Sequence, residues 1–361
     1  MTIMDKRNGT IDFLKFVFAV IVVVIHFNGY AGKAFFDGGA STVSFFLLVS
    51  GCMMVGSYEK RRIVGPIDGK GEIGQDTLSF MKHKITGILP NAYVAWIIAF
   101  TVMHINCTSF ISVIKDLEGS IWDLLFISYS GINIYSAQSV TWYLSAMLLS
   151  MFVIYPLLYK FKDTFFYLIA PMIFIFSRGI LYQNFGSAGG GDKWNGWTYG
   201  FVIRAFSEIC AGCVCYKVAA RIRGIHFTNF ARYMCTIMEW GIYLCIIALM
   251  YRHGSVEVGF LIVLLFMVAV TLTLSGMSYS EELFQRRVFQ WLGEYSFSLY
   301  LGHHFWGVYL RNYEWTYEKA FGVYLTLSFA TGLFIMYLSL IIRKVWKKYA
   351  CQLRDLIVEK G

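Results

Sequence analysis

The stretch Ile11-Asp12-Phe13-Leu14-Lys15-Phe16-Val17-Phe18-Ala19-Val20-Ile21-Val22-Val23-Val24-Ile25-His26 decides how the rest of the chain is read. It is apolar enough to enter a bilayer, yet it carries three groups that a bilayer penalises. On a helix each residue turns about 100°, so Lys15 and His26 differ by only about 20° of azimuth. Asp12 and His26 differ by about 40° the other way, and His26 lies roughly 16 Å beyond Lys15 along the axis. All three share one face, and a charged face on a lipid-spanning helix looks into protein or water. Pairing of Asp12 with Lys15 at i,i+3 near the headgroups accounts for the two charges but leaves His26 unexplained.

Composition agrees with a membrane chain. Of 361 residues, 57% are hydrophobic, 18% aromatic and only 15% charged, and mean hydropathy is +0.58. A soluble domain carries about 25% charged residues. At about 20 residues per span, ten spans can be drawn, at about 11–29, 41–57, 86–105, 140–159, 164–182, 198–216, 235–251, 257–275, 296–312 and 321–342. The first reads as a signal anchor, because no small-x-small cleavage site follows it. The apolar segment 120–130 is too short to cross and reads as interfacial or re-entrant. The fold expected is an all-α polytopic bundle forming a single domain over 1–361, with no appended soluble domain and no internal repeat.

Lysine and arginine placement sets the orientation. Lys6, Arg7, Lys60, Arg61, Arg62, Lys82, Lys84, Lys160, Lys162, Lys217, Arg221 and the basic C-terminal segment fall on one side of this map. The other side holds Lys33, Lys115, Lys193, Arg252, Arg311 and Lys319. The positive-inside rule then puts both termini in the cytoplasm. The net charge of +9 comes from loops beside anionic headgroups and implies no nucleic-acid partner. The eight cysteines lie mostly in apolar stretches. Cys210, Cys213 and Cys215 have a metal-like spacing but no matching histidine or carboxylate, so core packing is expected and no metal site.

Several segments, taken in order, are similar to the acyltransferase-3 family of integral-membrane enzymes that O-acetylate bacterial surface and exported glycans. Asp12-Phe13-Leu14-Lys15, ten residues and His26 resemble its opening signature. Val43 to Gly51, with Phe45-Phe46 and Ser50-Gly51, resembles its second span. Phe80 to Pro90 resembles its basic loop ending in proline, and Thr141-Trp142-Tyr143-Leu144 with Pro156 a later span. Tyr295-Ser296-Phe297-Ser298-Leu299-Tyr300-Leu301-Gly302-His303 resembles the late motif. The chain departs by having Lys15 in place of an arginine, Gly87 in place of a second arginine and Met147 in place of a glutamate.

The resemblance implies a multi-pass protein of the bacterial cytoplasmic membrane, with acyl-CoA (acetyl-CoA first of all) as donor substrate, a carbohydrate acceptor and no permanently bound cofactor. It implies His26 as general base and counts Asp12 and Lys15 with it in the catalytic set. A base near working pH suits attack by a sugar hydroxyl. The anionic donor needs cations, for which Lys15, Lys82 and Lys84 are candidates, although topology alone also explains the loop lysines. Ser50 is either a nucleophile or a hydroxyl bonded to its own helix at i−4. Trp142 and Tyr300 are expected in support, and His303 or His304 either orients the acceptor, polarises the carbonyl or bonds across helices. Arg204 and Glu208 are spaced to pair at i,i+4, and Arg178 either holds an acidic or hydroxylated sugar or snorkels. Trp194 and Trp197 either stack on a sugar or belong to an interfacial belt. A transporter or flippase of lipid-linked sugars would also bury charges in such a bundle, but with inverted repeats. A membrane-bound acyltransferase acting on lipid or protein would differ in its acceptor.

Overall fold

The computed structural model describes residues 7–31, 35–64, 72–130, 139–187, 189, 191 and 193–358. Its α-helices run α1 (Gly9–Ala31), α2 (Thr42–Val64), α3 (Ile73–His104), α4 (Phe110–Leu124), α5 (Trp142–Phe161), α6 (Ala170–Phe185) and α7 (Gly200–Ile222). They continue as α8 (Asn229–Arg252), α9 (Ser255–Ser275), α10 (Ser280–Leu283), α11 (Arg287–Gly302), α12 (His304–Leu310) and α13 (Tyr317–Val358). No strand is formed among the described residues. Backbone polar groups have no water to satisfy them in hydrocarbon, so even β-branched runs such as Val20 to Ile25 are helical.

Among the described residues, eight helical segments are long and apolar enough to cross a membrane, where the sequence suggests ten. The other two differ for identifiable reasons. Helix α7 has the length, but Arg204, Glu208, Lys217 and Arg221 lower its hydropathy, and it is largely buried among its neighbours. The expected span 296–312 is broken at His303 into α11 and the short α12. The expected basic loop before Pro90 is helical, because α3 begins at Ile73. No glycine or proline interrupts it from Gln75 to Thr86, and Phe80 stacks on Tyr155 with ring centroids 4.2 Å apart. Lys82 and Lys84 therefore lie on a helix.

The short apolar segment at 120–130 belongs to a helix that starts earlier, at Phe110. Helix α4 exposes Phe110, Ile111, Ile114, Leu117 and Ile121, the pattern of a helix with one apolar stripe. The buried Asp123 in its last turn holds the chain that follows, accepting from Ser128 and from Thr141 at 2.9 Å.

Two contacts set the frame. Helices α2 and α7 cross closely because Gly51 faces the Ile209 carbonyl and Gly212 faces that of Leu48. A Cβ at either position would collide with backbone, the small-residue device of membrane helices. Cys52 donates to the Gly212 carbonyl at 3.1 Å, and Cys210, Cys213 and Cys215 are buried and free in this core. Helix α1 lies along α11, where Gly293 lets Asp12 approach. Arg7 ties the two together by donating to Asp12, to Glu294 at 2.5 Å and to the Gln290 carbonyl at 2.6 Å.

Candidate active site

The polar face of α1 opens into two cavities rather than one continuous seam. The first, of about 340 Å³, lies toward the start of α1 and is lined by Lys15, Ser50, His83, Lys84, Tyr143 and Tyr300, with apolar side chains between them. The second, of about 330 Å³, lies toward the end of α1 and is lined by His26, Trp142, Arg204 and Tyr300, with Ser187, Gly189 and Gly191 of the loop after α6. Tyr300 lines both. Its ring stands 5.7 Å from Tyr143 and 6.3 Å from Phe46, and these three rings form a collar where the cavities adjoin. Lys15 and His26 are on one helix face, as the 100° repeat requires, but a residue contributed by α11 comes between them.

In the first cavity the cations are on flexible stems. Lys15 Nζ is 3.5 Å from Asp12, whose principal partner is Arg7, so the expected i,i+3 pair is the weaker of two contacts. Asp12 is buried and lines neither cavity; it positions the base of α1. Lys84 is in the lining, while Lys82 is exposed and is not. His83, which the sequence reading passed over, is in the lining too. Ser50 Oγ contacts the Tyr143 hydroxyl at 3.4 Å and Met147 Sδ at 3.3 Å, with no base beside it. That is poor company for a nucleophile, which needs a proton acceptor within hydrogen-bond reach.

In the second cavity the polar groups are fixed. His26 Nδ1 lies 2.9 Å from the Val22 carbonyl, which only accepts, so Nδ1 carries the proton of the neutral ring. His303 Nδ1 is 2.7 Å from the Tyr300 carbonyl and is protonated for the same reason. His303 Nε2 is then a bare acceptor, 3.1 Å from His26 Nδ1. With each ring neutral, the network leaves His26 Nε2 without a proton and able to take one. His304 joins the cluster, 5.2 Å ring to ring from His26 and 2.9 Å from Ser139 Oγ. Breaking the helix at His303 is what brings both histidines of the pair 303–304 toward α1.

The wall opposite in sequence is built by α7. Glu208 is fully buried; Arg204 Nε donates to it at 3.1 Å and Arg178 Nη2 at 2.7 Å. Ser44 donates to the same carboxylate at 2.6 Å. The i,i+4 pair is formed as expected, and Arg178 is part of it rather than a snorkelling surface cation. Arg178 is absent from the cavity lining; Arg204 is present. The glycine-rich loop reaches the cavity, but Trp194 and Trp197 are exposed and outside its lining. The aromatic face there is Trp142, stacked on Phe201 at 3.8 Å and 15°. Ala188, Gly190 and Asp192 of that loop lie outside the described residues. Among the described residues, no His, Cys, Asp or Glu cluster converges as a metal site.

A half-buried, hydrogen-bonded imidazole lining one cavity, and cations lining a second that adjoins it, give this membrane protein parts that a group-transfer enzyme uses. A family model described as an acyltransferase domain, acyltransferase-3, matches residues 8–343, and the chain belongs to that family. No curated protein and no solved structure matches it.

Proposed function

We propose that this acyltransferase moves an acyl group, acetyl first of all, from cytoplasmic acyl-CoA to a hydroxyl of a surface or exported glycan. The observation that carries the reading is the pair of cavities adjoining at Tyr300, cationic on one side and holding an oriented imidazole on the other. The anionic donor enters at Lys15, Lys84 and the exposed Lys82, at the end that the positive-inside rule puts in the cytoplasm. Apolar walls suit the pantetheine arm, which brings the thioester to the aromatic collar. The acceptor enters from the other face of a bacterial cytoplasmic membrane.

His26 Nε2 takes the proton of the attacking hydroxyl as its oxygen bonds to the thioester carbon. The resulting imidazolium is stabilised through Nδ1–H by the Val22 carbonyl and His303 Nε2. When the tetrahedral intermediate collapses, the C–S bond breaks and the CoA thiolate leaves with the proton from His26 Nε2, which returns the ring to its neutral state. This needs one base and no acyl-enzyme, in keeping with the surroundings of Ser50.

The test is mass spectrometry of glycan from cells carrying wild type or His26→Ala, with protein level and membrane insertion followed in parallel. Acetyl content per repeat falls to background in the variant while the protein persists. Undiminished acetylation removes His26 from the role. A change in glycan amount at constant acetyl content would instead identify a transporter.

A further inference from the structure

The cavity beside His26 has a second polar wall that proton transfer leaves unused. Arg204 is only 5% exposed, and its guanidinium is held on two edges. Nε donates to Glu208 at 3.1 and 3.3 Å, and Nη2 donates to the Ala40 carbonyl at 3.1 Å and to Ser44 Oγ at 2.9 Å. Nη1 has no hydrogen-bond partner among the described residues. It faces Gly189, at which an added Cβ would stand 3.9 Å from Nη1, and both residues line the cavity. The fork is thus anchored on one side and presents its remaining nitrogen to the chamber that holds His26. Arg178 draws on the same Glu208 oxygen at 2.7 Å, so one carboxylate is divided between two guanidiniums. Trp142 adds a flat apolar face to the same chamber.

A guanidinium N–H that opens into a cavity has a carboxylate or phosphate oxygen as its strongest partner. Resting on the acyl-transfer reading above, we infer that Arg204 is a specificity residue for an acidic acceptor: a glycan bearing a carboxylate or phosphate docks its anionic group on Arg204 Nη1. A sugar face then lies on Trp142, and a hydroxyl of the same glycan is carried to His26. Gly189 sets no side chain beside that nitrogen, where a Cβ would stand in ordinary contact at 3.9 Å.

The experiment uses the full chain reconstituted in lipid nanodiscs with acetyl-CoA. Three matched oligosaccharide acceptors are compared: one with a uronic acid, its methyl ester, and a neutral oligosaccharide carrying a phosphate. One charge-assisted hydrogen bond predicts a preference of about tenfold to a hundredfold in kcat/KM for an anionic acceptor over the ester, expressed mainly in KM. Whether the uronic acid or the phosphate is favoured tells the two sources of charge apart. In Arg204→Gln the preference shrinks to about twofold, and Arg204→Lys restores part of it, since a lysine keeps charge without the fork. If Arg204→Gln does not accumulate, the wild-type comparison of acid with ester decides. Equal use of acid and ester, or an undiminished preference in folded Arg204→Gln, overturns the assignment and leaves acyl transfer standing. Failure to acylate any of the three while acetyl-CoA is bound overturns the acyl-transfer reading and this inference with it.

Discussion

The two cavities are nearly equal in volume, about 340 and 330 Å³, and differ in how their polar groups are held. Around Lys15 and Lys84 the charges end on long stems over an apolar floor, with one loose contact from Lys15 to Asp12. Around His26 and Arg204 the rings and the fork are oriented by hydrogen bonds to their own helices and to neighbouring ones. Flexible cations suit a large anionic ligand that must bind and leave; fixed nitrogens suit a step in which atoms must meet within hydrogen-bond distance. The contrast predicts that substitutions in the first cavity weaken donor binding, whereas those in the second damage stability, acceptor choice or turnover.

The largest effect is expected at the centre of the fixed network. Glu208→Ala leaves two buried guanidiniums without their shared carboxylate and costs about 3–5 kcal/mol. Thermal unfolding of the purified protein in detergent checks this, and a melting temperature near wild type would mean that the network is not rigid. Next comes His303→Ala, which removes the acceptor at His26 Nδ1 while the Val22 carbonyl remains. Turnover should fall about tenfold to a hundredfold with little change in acyl-CoA KM, as for loss of a group that orients a functional imidazole. His303→Gln should recover part of the loss, and an unchanged kcat in both variants would break the comparison.

These outcomes bear on how much was legible in the residues themselves. The 100° repeat places Lys15 and His26 on one face, and the i,i+4 spacing pairs Arg204 with Glu208; both are local and both are found. What depends on distant chain is not legible. The Tyr300 ring between Lys15 and His26 comes from α11, and Arg178 reaches Glu208 from another helix. The broken span at His303 looks continuous by hydropathy, since Leu299 to Trp306 has no proline and its glycine is tolerated in a helix. Lys82 and Lys84 look equivalent as loop cations; only the helical register of α3 separates exposed Lys82 from Lys84 in the cavity wall.

Smaller effects belong to the first cavity. Lys15→Ala should raise the KM for acyl-CoA about tenfold, the worth of one partly exposed charge-assisted contact, with kcat nearly unchanged. Lys15→Arg should bring it back toward wild type; identical donor titrations in all three proteins would remove Lys15 from donor binding. Smallest of all is Tyr300→Phe. It deletes one hydrogen bond, from the hydroxyl to the Val140 carbonyl at 3.0 Å, and keeps the ring in the collar, so about 1 kcal/mol of stability is lost. A large loss of turnover in that variant would mean that the hydroxyl itself takes part in chemistry.

Arg7 fastens the first turn of α1 to α11, and Gly293 lets the two backbones lie close. His26 and His303, Lys15 and Tyr300 thereby ride on one stiff two-helix spar. Any widening of the openings for ligands is therefore expected at the facing walls, α2, α3, α5 and α7, with the spacing of His26 and His303 kept.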